Sequence, residues 1–229
     1  INTSTIAEIS NRYHNYFTPA GYAFSIWALI YLALLGFVIY QGRSLFKPAA
    51  SDRIVDLVGW RFVISCLCNC AWVIAWVNDR IGLSLCIMSI LLFSLISILG
   101  QLEKTYKSAP LKKRILAWWP FSIYAGWITV AFLANLAAWL KKIQWEGMGV
   151  SFITWTIIMI GIAGLVNLLV TWRRDMPEFS LVGLWALTAI GIGNWNTTLP
   201  VEAAAFFAAS CLLLSNALYL IKNIKPAGI

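Results

Sequence analysis

Residues 81–101 read IGLSLCIMSILLFSLISILGQ and hold no Asp, Glu, Lys or Arg. A helix needs about 20 apolar residues to cross a hydrocarbon core about 30 Å thick, and this run supplies them. Working outward, six more runs of the same kind occur, at 20–40, 55–77, 115–140, 148–172, 179–194 and 200–222. Polar intervals separate them. Pro19, Pro177 and Pro200 fall near helix starts, where a missing N–H costs nothing, and Thr18 is placed as an N-cap. The run 179–194 is the shortest and ends in Asn194, Trp195, Asn196, Thr197 and Thr198. It spans only a thinned region or lies among neighbours.

Composition agrees. The 229 residues are 61% hydrophobic and 11% charged, with mean hydropathy +0.79; soluble domains carry about 25% charged residues. This excludes a secreted disulfide scaffold, a disordered chain and an ordinary cytosolic enzyme. The fold class is therefore an all-α polytopic membrane protein with seven transmembrane helices. The net charge of +8 would suggest nucleic acid in a soluble protein. Here the bases cluster beside membrane ends, so no nucleic-acid partner is expected.

Numbering the loops alternately puts Arg43, Lys47, Arg53, Arg61, Lys104, Lys107, Lys112, Lys113, Arg114, Arg173, Arg174, Lys222 and Lys225 on one side. Only Arg12, Arg80, Lys141 and Lys142 fall on the other. By the positive-inside rule Ile1 is outside and Ile229 cytoplasmic, in a membrane read as a bacterial inner membrane.

The spans are also informative for what they lack. No Lys lies mid-span to anchor a Schiff base, and no acid lies there for ion coupling. A single His, His14, excludes paired axial His ligation of haem within the chain. Cys66, Cys68 and Cys70 read as small packing residues rather than metal ligands, since Cys68 leaves the face that the other two share. No hydrolytic motif occurs, and the protein is not expected to be an enzyme. Asn69, Asn135, Asn167 and Asn216 sit one to a helix and should face other helices. Among the Trp residues, Trp60, Trp118, Trp119, Trp139, Trp145, Trp172 and Trp195 lie near span ends, as in an interfacial belt. Trp27, Trp72, Trp76, Trp127, Trp155 and Trp185 lie deeper, where an indole N–H wants a partner.

Three stripes combine rings with polar donors. Phe24, Trp27 and Tyr31 share a face at i, i+3, i+7 spacing. Asn69 and Trp72 share another, with Trp76 one turn on. Pro120, Tyr124, Trp127 and Asn135 recur along a third. These strings resemble the tryptophan-rich sensory protein, or translocator protein (peripheral-type benzodiazepine receptor), family. Tyr22-x-Phe24 and Trp27-x-x-x-Tyr31 match its second helix, with Tyr22 in place of Trp. Asn69-x-x-Trp72 matches its third helix, where Ser65 replaces a Gln. Tyr124-x-x-Trp127 with Asn135 matches its fifth, although Pro120 stands four residues before Tyr124 rather than next to it.

The resemblance covers residues 17–140, as helices two to five of a five-helix fold. The first family helix would precede Ile1. It implies an extramembrane covering segment at 1–17, a core at 18–140 and three additional helices at 141–229. It further implies a membrane receptor, sensor or carrier for flat hydrophobic molecules such as tetrapyrroles. The ligand that the resemblance implies is porphyrin or haem, with no cofactor required and the bilayer as a partner. The residues implied to bind are Tyr22, Phe24, Trp27, Tyr31, Asn69, Trp72, Tyr124, Trp127 and Asn135. His14, on the covering segment, would reach a porphyrin metal or carboxylate. The competing expectation is an accessory subunit of a homodimer or larger membrane complex, packed through Gly161, Gly164, Gly183, Gly191 and Gly193.

Overall fold

The computed structural model describes residues 4–46, 54–106 and 109–223. Lys47, Arg53, Lys107 and Lys225 of the charge count, and the termini Ile1 and Ile229, lie outside the described residues. The elements are α1 (Ile6–Arg12), a 3-10 turn (Gly21–Ser25), α2 (Ile26–Phe46), α3 (Ile54–Val77), α4 (Ile81–Tyr106) and α5 (Leu111–Lys113). A π turn (Arg114–Trp118), α6 (Trp119–Lys142), a 3-10 turn (Gly147–Gly149), α7 (Phe152–Arg174), α8 (Pro177–Gly193) and α9 (Leu199–Asn223) complete them. No strand occurs among the described residues.

Six segments are long and apolar enough to cross a membrane: Gly21–Arg43, Ile54–Val77, Ile81–Thr105, Leu111–Lys142, Phe152–Arg174 and Leu199–Asn223. The seventh run becomes α8, a shorter apolar helix of 17 residues. At 1.5 Å per residue it is about 26 Å long. Buried Phe179, Val182, Ala186 and Ala189 mark it as a helix enclosed by neighbours. The outward faces of the longer helices are apolar: Leu32, Phe93 and Phe207 are 67%, 72% and 73% exposed. In water such faces would aggregate; in a bilayer they meet acyl chains.

The chain divides into two compact units. One holds the residues up to Ile9 together with Phe24–Ile128, the other Ser10–Ala23 together with the residues from Thr129 onward. The boundaries fall inside α1, inside the first 3-10 turn and inside α6. In the first unit α3 packs closely along α4, and the π turn lies against α2 and α4. Helix α1 begins with a capping box: Thr5 N donates to Glu8 Oε2 at 2.9 Å and Glu8 N to Thr5 Oγ1 at 3.2 Å. The Trp76 indole donates to the Ile6 carbonyl at 3.1 Å, so the N-terminal segment is tied to the end of α3. Gly59 breaks α3 with φ 48° and ψ −142°, a conformation that a residue without Cβ reaches cheaply. Pro120 has no N–H to return to the carbonyl of Leu116. The helix widens into the π turn just ahead of it, and that turn carries Trp118 inward. Trp118 is buried rather than interfacial, which corrects its assignment to the belt.

In the second unit α7, α8 and α9 pack on one another. Ser151 caps α7 by accepting from Thr154 N at 3.1 Å, and Pro177 is the first residue of α8. Thr18 does not cap a helix ahead of it; its hydroxyl accepts from Asn15 N at 2.9 Å. Of the five glycines expected to serve an assembly interface, three are used in close packing within this unit. A Cβ on Gly183 would collide with the Asn167 carboxamide, one on Gly191 would lie 2.9 Å from the Phe206 ring, and one on Gly193 would lie 2.9 Å from the Thr18 carbonyl. Gly164 approaches the Ala208 methyl, whereas Gly161 faces open space. Asn216 donates to Ser180 Oγ at 2.9 Å, an amide bridge between α9 and α8 of the expected kind.

Candidate functional site

The first unit brings together Phe24, Trp27, Tyr31, Asn69, Trp72, Tyr124 and Trp127. Trp27 is the hub. Its ring stacks on Tyr31 at 5.5 Å and on Trp72 at 5.9 Å. It meets Tyr124 edge-on at 5.9 Å and Trp127 at 6.3 Å. Phe24 reaches Trp127 at 6.2 Å, and Trp76 extends the stack beyond Trp72 at 6.1 Å. Helical spacing explains the set: Trp27 and Tyr31 are one turn apart, as are Trp72 and Trp76, so their rings line single faces.

The polar atoms of this cluster are mostly unmatched. Asn69 Nδ2 donates to the Tyr31 hydroxyl at 3.0 Å. The indole N–H groups of Trp27, Trp72 and Trp127, the Tyr124 hydroxyl and Asn69 Oδ1 are buried without a partner in the protein. Trp119 Nε1 and Ser122 Oγ share that state. A buried donor left unpaired costs about 1–3 kcal/mol, so four around one hub are a large local expense.

Farther along the same helices lies a second ring layer that the sequence reading did not single out. Phe37, Phe62 and Phe121 pack at centroid distances of 4.9–5.7 Å, all edge-on. Phe121 stands three residues before Tyr124, and that spacing was the available signal. Beside this layer a cavity of about 620 Å³ opens between α2 and α3, lined by Val58, Gly59 and Phe62 among others.

Two expected residues fall in the second unit. Tyr22 belongs to the second unit, where its ring meets Trp185 edge-on at 5.0 Å. The Trp185 indole donates to the Ala23 carbonyl at 3.3 Å. Asn135 is also in the second unit, buried on α6. His14 lines a cavity of about 840 Å³ in that unit, with Lys141, Trp145 and Trp155.

These features define a class: an all-α multi-pass membrane protein whose helices gather indole, phenol and carboxamide groups around one aromatic hub. The profile of the TSPO-like protein family matches residues 1–218. The chain belongs to that family, and the match runs through α7 and α8 and into α9. No curated protein matches the chain, and no solved structure does. Family membership and fold together support a membrane sensor or receptor kind of role.

Proposed function

We propose that the cluster around Trp27 is the ligand site of a membrane receptor, sensor or carrier, and that its ligand is a flat, hydrophobic, acceptor-bearing molecule of the tetrapyrrole class. The observation that carries this reading is the set of four buried donors without partners, at Trp27, Trp72, Trp127 and Tyr124. The Phe37, Phe62 and Phe121 layer packs the same three helices with no polar atom at all. Packing alone therefore needs no indole or phenol at the upper layer. Ring faces stack on a conjugated plane, and N–H and O–H groups meet carbonyl or carboxylate oxygens of the ligand. Seven of the nine expected residues take part; Tyr22 and Asn135 are not assigned to the site. Indole, phenol and amide suit a porphyrin's face and its carboxylates rather than its iron. The reading is of binding and assigns no reaction. The charge bias supports an orientation with the Lys- and Arg-rich loops on the cytoplasmic side of a bacterial inner membrane.

The test is titration of the purified full chain in nanodiscs with protoporphyrin IX, following Trp fluorescence. Saturable quenching is expected, with at least about tenfold weaker binding in Trp27→Phe and in Tyr124→Phe. Absence of saturation, or unchanged affinity in both variants, overturns the reading.

One observation favours a second reading. The rings touch one another at 5.5–6.3 Å around Trp27, and neither the 620 Å³ nor the 840 Å³ cavity is lined by that ring. As a structural element the cluster would serve an accessory subunit of a homodimer or larger membrane complex. Native sizing after gentle extraction separates the two: a discrete assembly without porphyrin binding favours the subunit.

A further inference from the structure

The second unit holds the 840 Å³ cavity, and nothing in the proposed function uses it. Its volume lies in the range of about 300–1,000 Å³ typical of pockets for single small molecules. Its walls come from His14–Tyr16, from the end of α6 with the loop after it, and from the start of α7. Those walls are fixed. Asn15 ties its own segment three ways: its N–H donates to Thr18 Oγ1, its Oδ1 accepts from Phe17 N, and its Nδ2 donates to the Tyr13 carbonyl. The Trp155 indole donates to the Gly147 carbonyl at 2.8 Å, and the Trp145 and Trp155 rings lie 5.3 Å apart. The loop turns through positive φ at Gln144 and Gly147.

The lining is divided in character. Leu140, Phe152 and Met159 are apolar, while Lys141 and His14 bring polar groups. The Lys141 ammonium donates to the His14 backbone carbonyl, a partner that orients the cation without neutralising it. Glu146 is the acid of the lining and lies on the exposed loop. We infer that this cavity binds an amphiphile with a single anionic head, carboxylate or phosphate, held at Lys141, and an apolar body lying against Leu140, Phe152 and the paired indoles. A free fatty carboxylate and an anionic bilayer lipid both carry that chemistry. The inference is independent of the ring cluster.

The experiment uses the full chain in phosphatidylcholine nanodiscs and the fluorescent polyene cis-parinarate as probe, excited by transfer from Trp. Saturable one-to-one binding is expected, at least about tenfold weaker for its methyl ester and for Lys141→Gln, and retained in Lys141→Arg. Glu146→Gln is expected to leave binding unchanged or to strengthen it. Repeating the titration in nanodiscs containing phosphatidylglycerol distinguishes the sources. Competition by the lipid assigns the site to a bilayer headgroup; undiminished parinarate binding assigns it to a free carboxylate. Equal affinity for acid and ester, full affinity in Lys141→Gln, or weakening by Glu146→Gln overturns the inference.

Discussion

Helices α2, α3 and α6 carry two ring layers built on different principles. In one, Phe37, Phe62 and Phe121 meet edge-on and contribute only apolar surface. In the other, ten residues away along both α2 and α3, Trp27 and Trp72 with Tyr124 and Trp127 contribute similar bulk plus four donors that the protein leaves unpaired. In a bilayer no hydrophobic drive brings helices together, so packing and polar pairing carry association. The Phe layer is satisfied as packing. The Trp layer packs as well but keeps a polar demand that the chain does not meet. The comparison separates what holds the helices from what is available to a ligand.

The largest effect is expected in the dry layer. Phe121 is fully buried and touches both other rings, so Phe121→Ala opens a cavity and should cost about 3–5 kcal/mol. Unfolding titrations of the purified protein from mild detergent into dodecyl sulfate would measure it. A cost under about 1 kcal/mol would mean that the layer does not hold the three helices. Next comes a polar atom placed where none is wanted. Phe37→Tyr should cost about 1–3 kcal/mol, as a hydroxyl buried without a partner does. The reverse change in the other layer should be different in kind. Tyr124→Phe removes a hydroxyl that already lacks a partner, so stability should hold within about 1 kcal/mol while porphyrin affinity falls. A loss of stability equal to that of Phe37→Tyr would erase the distinction between the layers.

Much of this was legible in the chain. Apolar runs located the spans, because a bilayer tests length and charge directly. The α8 run fell short by the same measure, at 17 residues. The face shared by Trp27 and Tyr31, and that shared by Trp72 and Trp76, followed from helical periodicity. Tyr22 falls in the second unit, within the 3-10 turn Gly21–Ser25. There three residues rather than 3.6 make a turn, and Tyr22 points to Trp185, more than 160 residues later. Asn135 shares a stripe with Trp127 but stands eight residues on, about 12 Å along the axis. The Phe layer was hidden for the opposite reason: Phe37, Phe62 and Phe121 are ordinary apolar residues inside apolar runs, and only tertiary packing singles them out. The cavity at Lys141 depends on loop turns at Gln144 and Gly147, whose positive φ values no hydrophobic pattern encodes.

A pair of changes at one hydrogen bond sharpens the comparison most. Asn69 spends its amide N–H on the Tyr31 hydroxyl at 3.0 Å, while its Oδ1 is already unpaired. Tyr31 is 49% exposed and Asn69 is buried, so Tyr31→Phe removes little packing. It does leave both ends of a carboxamide unmatched. Interhelical hydrogen bonds in bilayers average about 0.6 kcal/mol and reach about 1.7, and Tyr31→Phe should fall in that range. Asn69→Ala loses the same bond but removes the unmatched oxygen with it, so it should cost less. The double variant Tyr31→Phe with Asn69→Ala should then be more stable than Tyr31→Phe alone. If instead the two changes add, the Asn69 amide has no unmet demand in the folded protein, and the upper layer would be satisfied in the same sense as the lower one.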